Sequence, residues 1–394
     1  MKSGKSIVEL ARELERIQGA KRDFVVPTEQ LTASVVPFHD VVDRAEEIRR
    51  ASGGSTLAAL ETARAEKGRV MLGFENGADH RFGLNSHSAS QLSGYTEIPK
   101  QYFDRIASEN PKLLADNINH GLEKIARDAR RAGKPESRMV RTLDGNVRGL
   151  LSSRYRILDS HDMLEAVFPV IADKGMEIVS SEVTEKRLFI KALSPKLQAE
   201  VKKGDVVQYG LTISTSDVGA GSVRVEPLIY RLVCMNGMIS STAIRKFHVG
   251  KNQAEDDIRE LLSDKTRELS DAAFWAQVRD VVLGSMQPEN FEREVDRLRV
   301  AANMPILNFD LPRVVELTMR ATGLSGEGKK NSIIAALASG NEGAGLTMYG
   351  LINSITKAAQ DDSFSYEESI EMERAGGSIL ELPKNQWSAI ASVA

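Results

Sequence analysis

A single cysteine, Cys234, stands in 394 residues, so an intramolecular disulfide framework and any zinc-ribbon site are excluded. That usage fits a reducing compartment. No run approaches the ~18 consecutive apolar residues of a membrane-crossing helix, and the opening MKSGKSIVELARELERIQ reads as an amphipathic helix without a signal-peptide apolar core. The expected setting is cytoplasmic, with no membrane partner. Catalytic signatures are missing as well: there is no G-x-S-x-G elbow and no H-E-x-x-H pair. The segment GLSGEGKK comes near the phosphate-cradling pattern G-x-x-x-x-G-K-[ST]. It places Lys330 where a hydroxyl must reach magnesium and follows the helical RVVELTMRAT, so it reads as an inter-helix loop. His39-Asp40, His161-Asp162 and the group Asp79, His80 and His87 are scattered, and Asp40 and Asp162 suit helix starts on electrostatic grounds alone. Cys234 lacks a neighbouring histidine or acid and reads as a buried strand residue. Neither an enzyme nor a cofactor or metal is expected.

What is present is an ordinary globular composition, 41% hydrophobic and 27% charged, with 52 basic against 55 acidic side chains. At about 150 residues per domain the length allows two or three domains. Ile7, Leu10, Ala11, Leu14 and Ile17 recur at helical spacing, and a second helix is expected over DVVDRAEEIRR. RVMLGFENGADHRFGLN predicts a hairpin about Asn76-Gly77. Helices broken near Pro99 and Pro111 follow, the last ending in a basic turn at Gly133. The period then becomes strand-like, interrupted by one helix near residues 160 to 174. After Asp205, Val207, Tyr209, Leu211 and Ile213 share a buried face, while Gln208, Gly210, Thr212 and Ser214 are expected to look outward. Pro227 suggests an edge position or a bulge in the next strand. Beyond Lys251 the pattern is helical, with a stripe from Ile258 and Leu261 to Val281, an acidic stretch from Asp361 to Glu373, and Trp387 near the end. The fold expected is α+β: a central antiparallel sheet with helices packed on it, then a mainly helical C-terminal region. Domain boundaries are placed at 1–84, 85–250 and 251–394.

Charge is segregated. Residues 127 to 156 carry nine basic and three acidic side chains, +6 in a chain whose formal charge is −3, so the remainder is −9. Such a concentration most commonly serves polyanion binding. In RMVRTLDGNVRGLL, a two-residue turn at Asp144-Gly145 would set Arg141 directly opposite Arg148, a like-charge pair that an intervening phosphate would relieve. Arg138, Arg154 and Arg156 extend the charge, Tyr155 could stack on a base, and Arg130, Arg131 and Lys134 continue it at the preceding helix end. These are the candidate nucleic-acid-binding residues. Arg127, Arg130 and Arg131 also complement a helix dipole. A second set, Lys191, Lys202, Lys203, Arg224, Arg231, Arg245 and Lys246, reads as scattered surface charge.

QLSGYTEIPKQYFDRIASENPKLLADNINHGL, SSRYRILDSHDMLEA, RLVCMNGM and GLTMYGLINSITKAAQD together resemble the phage/plasmid-like family built on domain of unknown function 932, over residues 85 to 390. The resemblance implies a mobile-element origin in a bacterial host cell and brings no active site. The order of a basic hairpin, a helix, further antiparallel strands and a long helix is also similar in outline to phage single-strand annealing proteins of the Red-beta, RecT and Erf kinds. The function expected is therefore ATP-independent single-stranded DNA binding and annealing in recombination, by a homo-oligomeric ring or filament. The alternative is an interaction protein that inhibits or diverts a host defence or regulatory factor.

Overall fold

In this computed structural model, residues 4–36, 68–75, 79–240, 245–247, 262–340 and 344–392 are described. The helix expected over DVVDRAEEIRR, the Asn76-Gly77 turn, His39-Asp40, and Ile258 and Leu261 lie outside them. The helix α1 (Ile7–Ala20) opens the chain on a capping box between Ser6 and Glu9.

Antiparallel pairing produces two sheets. Strands β1 (Arg22–Pro27), β2 (Thr32–Val36), β3 (Arg69–Glu75), β4 (Asp79–Leu84), β5 (Ser137–Leu143) and β6 (Asn146–Ser152) form the first. Their spatial order is β1-β5-β6-β4-β3-β2, antiparallel throughout except for the β4/β6 pair. Because β1 to β4 share this sheet with the hairpin β5-β6, a boundary at residue 84 runs through one sheet. Helices α2 (Ser86–Tyr95), α3 (Lys100–Glu109) and α4 (Pro111–Arg131) begin and end where proline and asparagine dictate. The Asn110 side chain accepts from the Leu113 amide, and Pro111 opens α4. Leu92, Phe103, Leu114, Ile118 and Leu122 of these helices pack on Leu72, Phe74, Val140 and Val147 of the sheet.

After α5 (Ser160–Asp173) comes the second sheet, a meander of β7 (Glu177–Val183), β8 (Leu188–Lys202), β9 (Asp205–Thr215), β10 (Val223–Arg231) and β11 (Asn236–Ile239). β12 (Arg245–Phe247) pairs with β10 alongside β11. The outer side of β10 is thus shared, residues 228–231 by β11 and 223–225 by β12, and Pro227 stands at the junction. Val207, Tyr209, Leu211 and Ile213 face a core built with α1, α5 and the C-terminal helices. The opposite face does not look outward as alternation predicted. A C-terminal helix covers it, and Thr212 and Ser214 are fully buried there. A Cβ on Gly210 would lie 2.2 Å from the Ala192 carbonyl oxygen, so only glycine fits between the strands.

The C-terminal region is helical: α6 (Asp264–Ser285), α7 (Pro288–Ala302), α8 (Leu311–Thr322), α9 (Glu327–Ala338), α10 (Met348–Ala358), α11 (Tyr366–Ser378) and α12 (Lys384–Ala391). The fold is α+β, with antiparallel sheets and this helical region. Tyr366 and Ile370 of α11 pack on Phe189, Leu193, Leu228, Tyr230 and Ile239. The terminal helices are spent on the chain's own core: Leu10, Leu14 and Ile17 at one end, Trp387 and Ile390 at the other.

The approach of α11 to the second sheet fixes one substitution. A Cβ on Gly377 would stand 1.9 Å from the Ile239 carbonyl oxygen. Gly377→Ala is expected to cost about 1–3 kcal/mol through overpacking. Gly284→Ala, with nothing within 4 Å, should be neutral or gain up to ~1 kcal/mol from helix propensity. Urea unfolding of both variants checks the contrast, and equal effects would refute the close approach.

Candidate functional site

The hairpin turn forms as its sequence requires: Asp144 (φ 49°) and Gly145 (φ 76°) both occupy the left-handed region. The register beyond it differs from the expectation. Leu143 faces Asn146 and Thr142 faces Val147, but Arg141 faces Gly149 and Val140 faces Leu150. Arg148 is the extra residue of a β-bulge, so it does not oppose Arg141. The bulge separates two cations that a regular ladder would have juxtaposed, and Arg148 instead pairs with Asp217 at 3.2 Å.

Arg141 is fully buried, and all three nitrogens of its guanidinium donate. Nε and Nη2 donate to the two oxygens of Asp23, at 2.8 and 3.0 Å, a fork made across the β1/β5 ladder where these residues are direct partners. Nη2 also donates to Asp159 Oδ1 at 2.8 Å, and Nη1 to the Asp217 carbonyl oxygen at 2.7 Å. Lys21 binds the second oxygen of Asp159, and Ser160 Oγ donates to Asp217 Oδ1 at 2.5 Å. Lys21, Arg141 and Arg148 therefore meet Asp23, Asp159 and Asp217, three charges against three. This corrects the phosphate-contact expectation for Arg141 and Arg148: a buried cation must be neutralised where it sits, and carboxylates of the same chain do so. Burial works to raise the Asp159 carboxyl, but Arg141 and Lys21 outweigh it and hold the group below the usual carboxylate range. Asp162 is pushed up, by burial first and then by the Asp159 charge.

The network ties the β9–β10 loop to the first sheet. Tyr155 OH donates to the Ser216 carbonyl at 3.2 Å, and Gln91 Nε2 donates to that of Val218 at 2.9 Å. His87 Nε2 also contacts the Val218 carbonyl, at 2.8 Å. Burial pushes the half-buried Tyr155 hydroxyl up to about 12. Burial likewise lowers His87, keeping the imidazole neutral.

The other predicted residues divide. Arg138 stacks over the Tyr95 ring, 3.8 Å from its centroid, and donates to Glu136 at 2.7 Å. Arg156 binds Asp271 at 2.7 Å and the Ser270 carbonyl at 3.0 Å. Arg154 is exposed in the turn after β6. At the C-terminal end of α4, Arg127, Arg130, Arg131 and Lys134 are all exposed. Arg130 lies 3.8 Å from the exposed Glu29, while Arg127, Arg131 and Lys134 have no carboxylate partner among the described residues. A groove of about 420 Å³ beside them is lined by Thr96, Gly121, Lys124, Asp128, Lys134 and Glu136.

Two members of the scattered basic set are buried, and Arg224 is half-buried. Lys191 is buried against Glu373 at 2.7 Å, and Arg231 forks onto Asp205 at 2.7 and 2.8 Å. The side chains of Arg245 and Lys246 lie outside the description. Lys329, in the phosphate-loop look-alike, is buried and bound to Glu371 at 2.5 Å. Cys234 is half-buried in the β10–β11 turn, not in a strand. His80 packs among Phe24, Phe74 and Phe82, apart from the His87 contact with the β9–β10 loop. His161, Asp162 and Glu165 bring their ligand atoms within 4.8 Å of one another on the first turn of α5. Nothing further points to a metal there, and the raised Asp162 carboxyl weakens the set as an anionic cage.

A family model described as Domain of unknown function (DUF932) matches residues 147–362, more than half of the chain. No curated protein and no solved structure matches.

Removing the Arg141 guanidinium strands Asp23 and Asp159, so Arg141→Ala is expected to cost about 3–5 kcal/mol, against at most ~0.5 for Lys134→Ala. Denaturant midpoints decide this, and a mild Arg141→Ala would place the charge outside the core. The depressed Asp159 carboxyl adds stability that is fully present above its unfolded value near ~4 and is lost as pH falls through the lower folded value. The stability gap between wild type and Asp159→Asn should therefore narrow between pH 7 and pH 3. A gap independent of pH would contradict the pairing.

Proposed function

The chain belongs to the DUF932 family, and on that premise we propose that it is a single-stranded DNA-binding and annealing protein of a phage or plasmid. It acts without ATP or a covalent step, in the cytoplasm of a bacterial host. Its phosphate contacts lie at the exposed end of α4, not on the hairpin. The observation that carries the reading is the group Arg127, Arg130, Arg131 and Lys134, four exposed cations of which three have no carboxylate partner among the described residues. Against them stand Asp128 and the roughly half charge of the helix C-terminus, so the local field stays positive. Guanidinium groups on a helix end hold phosphates, release counterions and leave the bases unstacked for pairing. A homo-oligomeric ring or filament would lengthen the track.

A second reading, an interaction protein that diverts a host defence or regulatory factor, draws on one feature. Leu307 and Phe309, between α7 and α8, are 58% and 79% exposed and offer adjacent apolar anchors.

Titration of a fluorescent oligonucleotide at several salt concentrations tests the first reading. Four phosphate contacts to a single strand predict a slope of log K against log salt of about −3. Replacing Arg127, Arg130, Arg131 and Lys134 together by glutamate should abolish binding and annealing, at a stability cost of about 0.3–1 kcal/mol per reversed charge at the helix end. Equal binding by that variant would reject the site. Capture of a host protein that Phe309→Ser abolishes, with no oligonucleotide affinity, would favour the second reading.

A further inference from the structure

On the face of the second sheet that α11 covers, three arginines gather about one carboxylate. Glu226 is fully buried, and Arg374 takes both its oxygens: Nε lies 2.9 Å from Oε1 and 3.1 Å from Oε2, and Nη2 lies 2.5 Å from Oε2. Glu226 is then neutralised. Glu367, the next nearest acid, accepts from Thr184 Oγ1 at 2.6 Å and lies 3.8 Å from Lys186. Lys191 is closed by Glu373. Two cations are left over, Arg187 and Arg224.

Neither donates to a carboxylate among the described residues. The Arg187 guanidinium lies against Gly221 and donates to the Ala220 carbonyl. Arg224 Nε is buried and has no hydrogen-bond partner. Both guanidinium groups are pushed down, by burial first and then by neighbouring cations: Arg224 and Arg374 act on Arg187, and Arg374 on Arg224. Both residues are half-buried, and like charges so desolvated are destabilising unless an anion joins them.

Two further orphans share the face. Ser214 is the direct cross-strand partner of Arg224, and Thr212 that of Glu226. Both hydroxyls are fully buried and make no hydrogen bond. Buried polar groups are nearly always partnered, so three orphan donors beside two uncompensated cations describe a site lacking its ligand. The missing chemistry is a compact oxyanion of charge near −2 that accepts from guanidinium and hydroxyl at once.

We propose that Arg187, Arg224, Ser214 and Thr212 bind a phosphate dianion, either inorganic phosphate or the terminal group of a small phosphomonoester. The site is independent of the α4 end and of nucleic-acid backbone binding. Thr212 and Ser214 are fully buried on the sheet face that α11 covers, so a small head group and not a continuous strand is the form of phosphate proposed. Phosphate bound there would also cross-link β9, β10 and the start of β8.

Thermal unfolding of the full chain in phosphate-free buffer, with sodium phosphate or adenosine monophosphate added and sodium chloride matching the ionic strength, tests the proposal. At ten times Kd the wild type should gain ~1–2 °C in Tm over the chloride control. Arg224→Gln should show no such gain, and without phosphate it should melt no lower than wild type, because a repulsion is relieved; a purely structural arginine would lower Tm in both buffers. Ser214→Ala, a minimal change at an unpartnered hydroxyl, should keep the phosphate-free Tm and weaken phosphate binding about tenfold, the value of one charge-assisted hydrogen bond. Tighter binding of the nucleotide than of inorganic phosphate identifies the monoester as ligand, and equal binding identifies the free ion. No gain over chloride, or an equal gain in Arg224→Gln, overturns the proposal.

Discussion

The Arg141 guanidinium, already on the β1/β5 ladder, ties that ladder to two parts of the chain that no backbone ladder joins to it. Through Asp23 it grips β1, through Asp159 the start of α5, and through the Asp217 carbonyl the loop between β9 and β10 of the other sheet. A desolvated cation is tolerated only if every donor is used, and that demand fixes the relative placement of the three segments. Arg148 and Lys21 complete the balance, so the two sheets meet at a polar seam with no charge to spare. Tyr155, Gln91 and His87 then hold the same loop from the other side.

Eight of the nine basic residues between 127 and 156 thus serve two different ends. Those on β5 and β6 and just after them, Arg138, Arg141, Arg148 and Arg156, are absorbed by Glu136, Asp23, Asp159, Asp217 and Asp271. Those on the end of α4 remain in water, where an opposing acid contributes little in any case. A long-range field depends on the second group and on the exposed Arg154. The +6 read from the segment counts charges that the fold has already cancelled.

Much of the architecture was legible in the sequence because it is written at short range. Pro99 and Pro111 divide the helices, Asp144-Gly145 makes the turn, and the alternation from Val207 to Ile213 marks a core-facing strand. The site was less legible. Asp23 lies 118 residues from Arg141, and Asp217 lies 76 residues from it, so neither pairing has a local signature. The bulge at Arg148 has none either: turn chemistry sets the first two pairs of the hairpin, and the register shift follows from where Asp217 stands. Periodicity also cannot tell a solvent-facing polar row from one covered by a helix more than a hundred residues downstream, which is why Thr212 and Ser214 were read as outward.

The segment 147–362 that defines the family is not electrostatically complete by itself. Asp159 and the Asp217 carbonyl take Arg141 from before it, and Lys21 from further still. Glu226, at its centre, takes Arg374 from beyond its end, and Lys191 takes Glu373. Isolated at those bounds, the segment would leave two buried carboxylates, Asp159 and Glu226, and one buried ammonium, Lys191, without partners, each a cost of several kcal/mol. The smallest unit able to fold with its charges satisfied therefore reaches from α1 to α11, and whatever the family segment binds, it binds as part of that larger body.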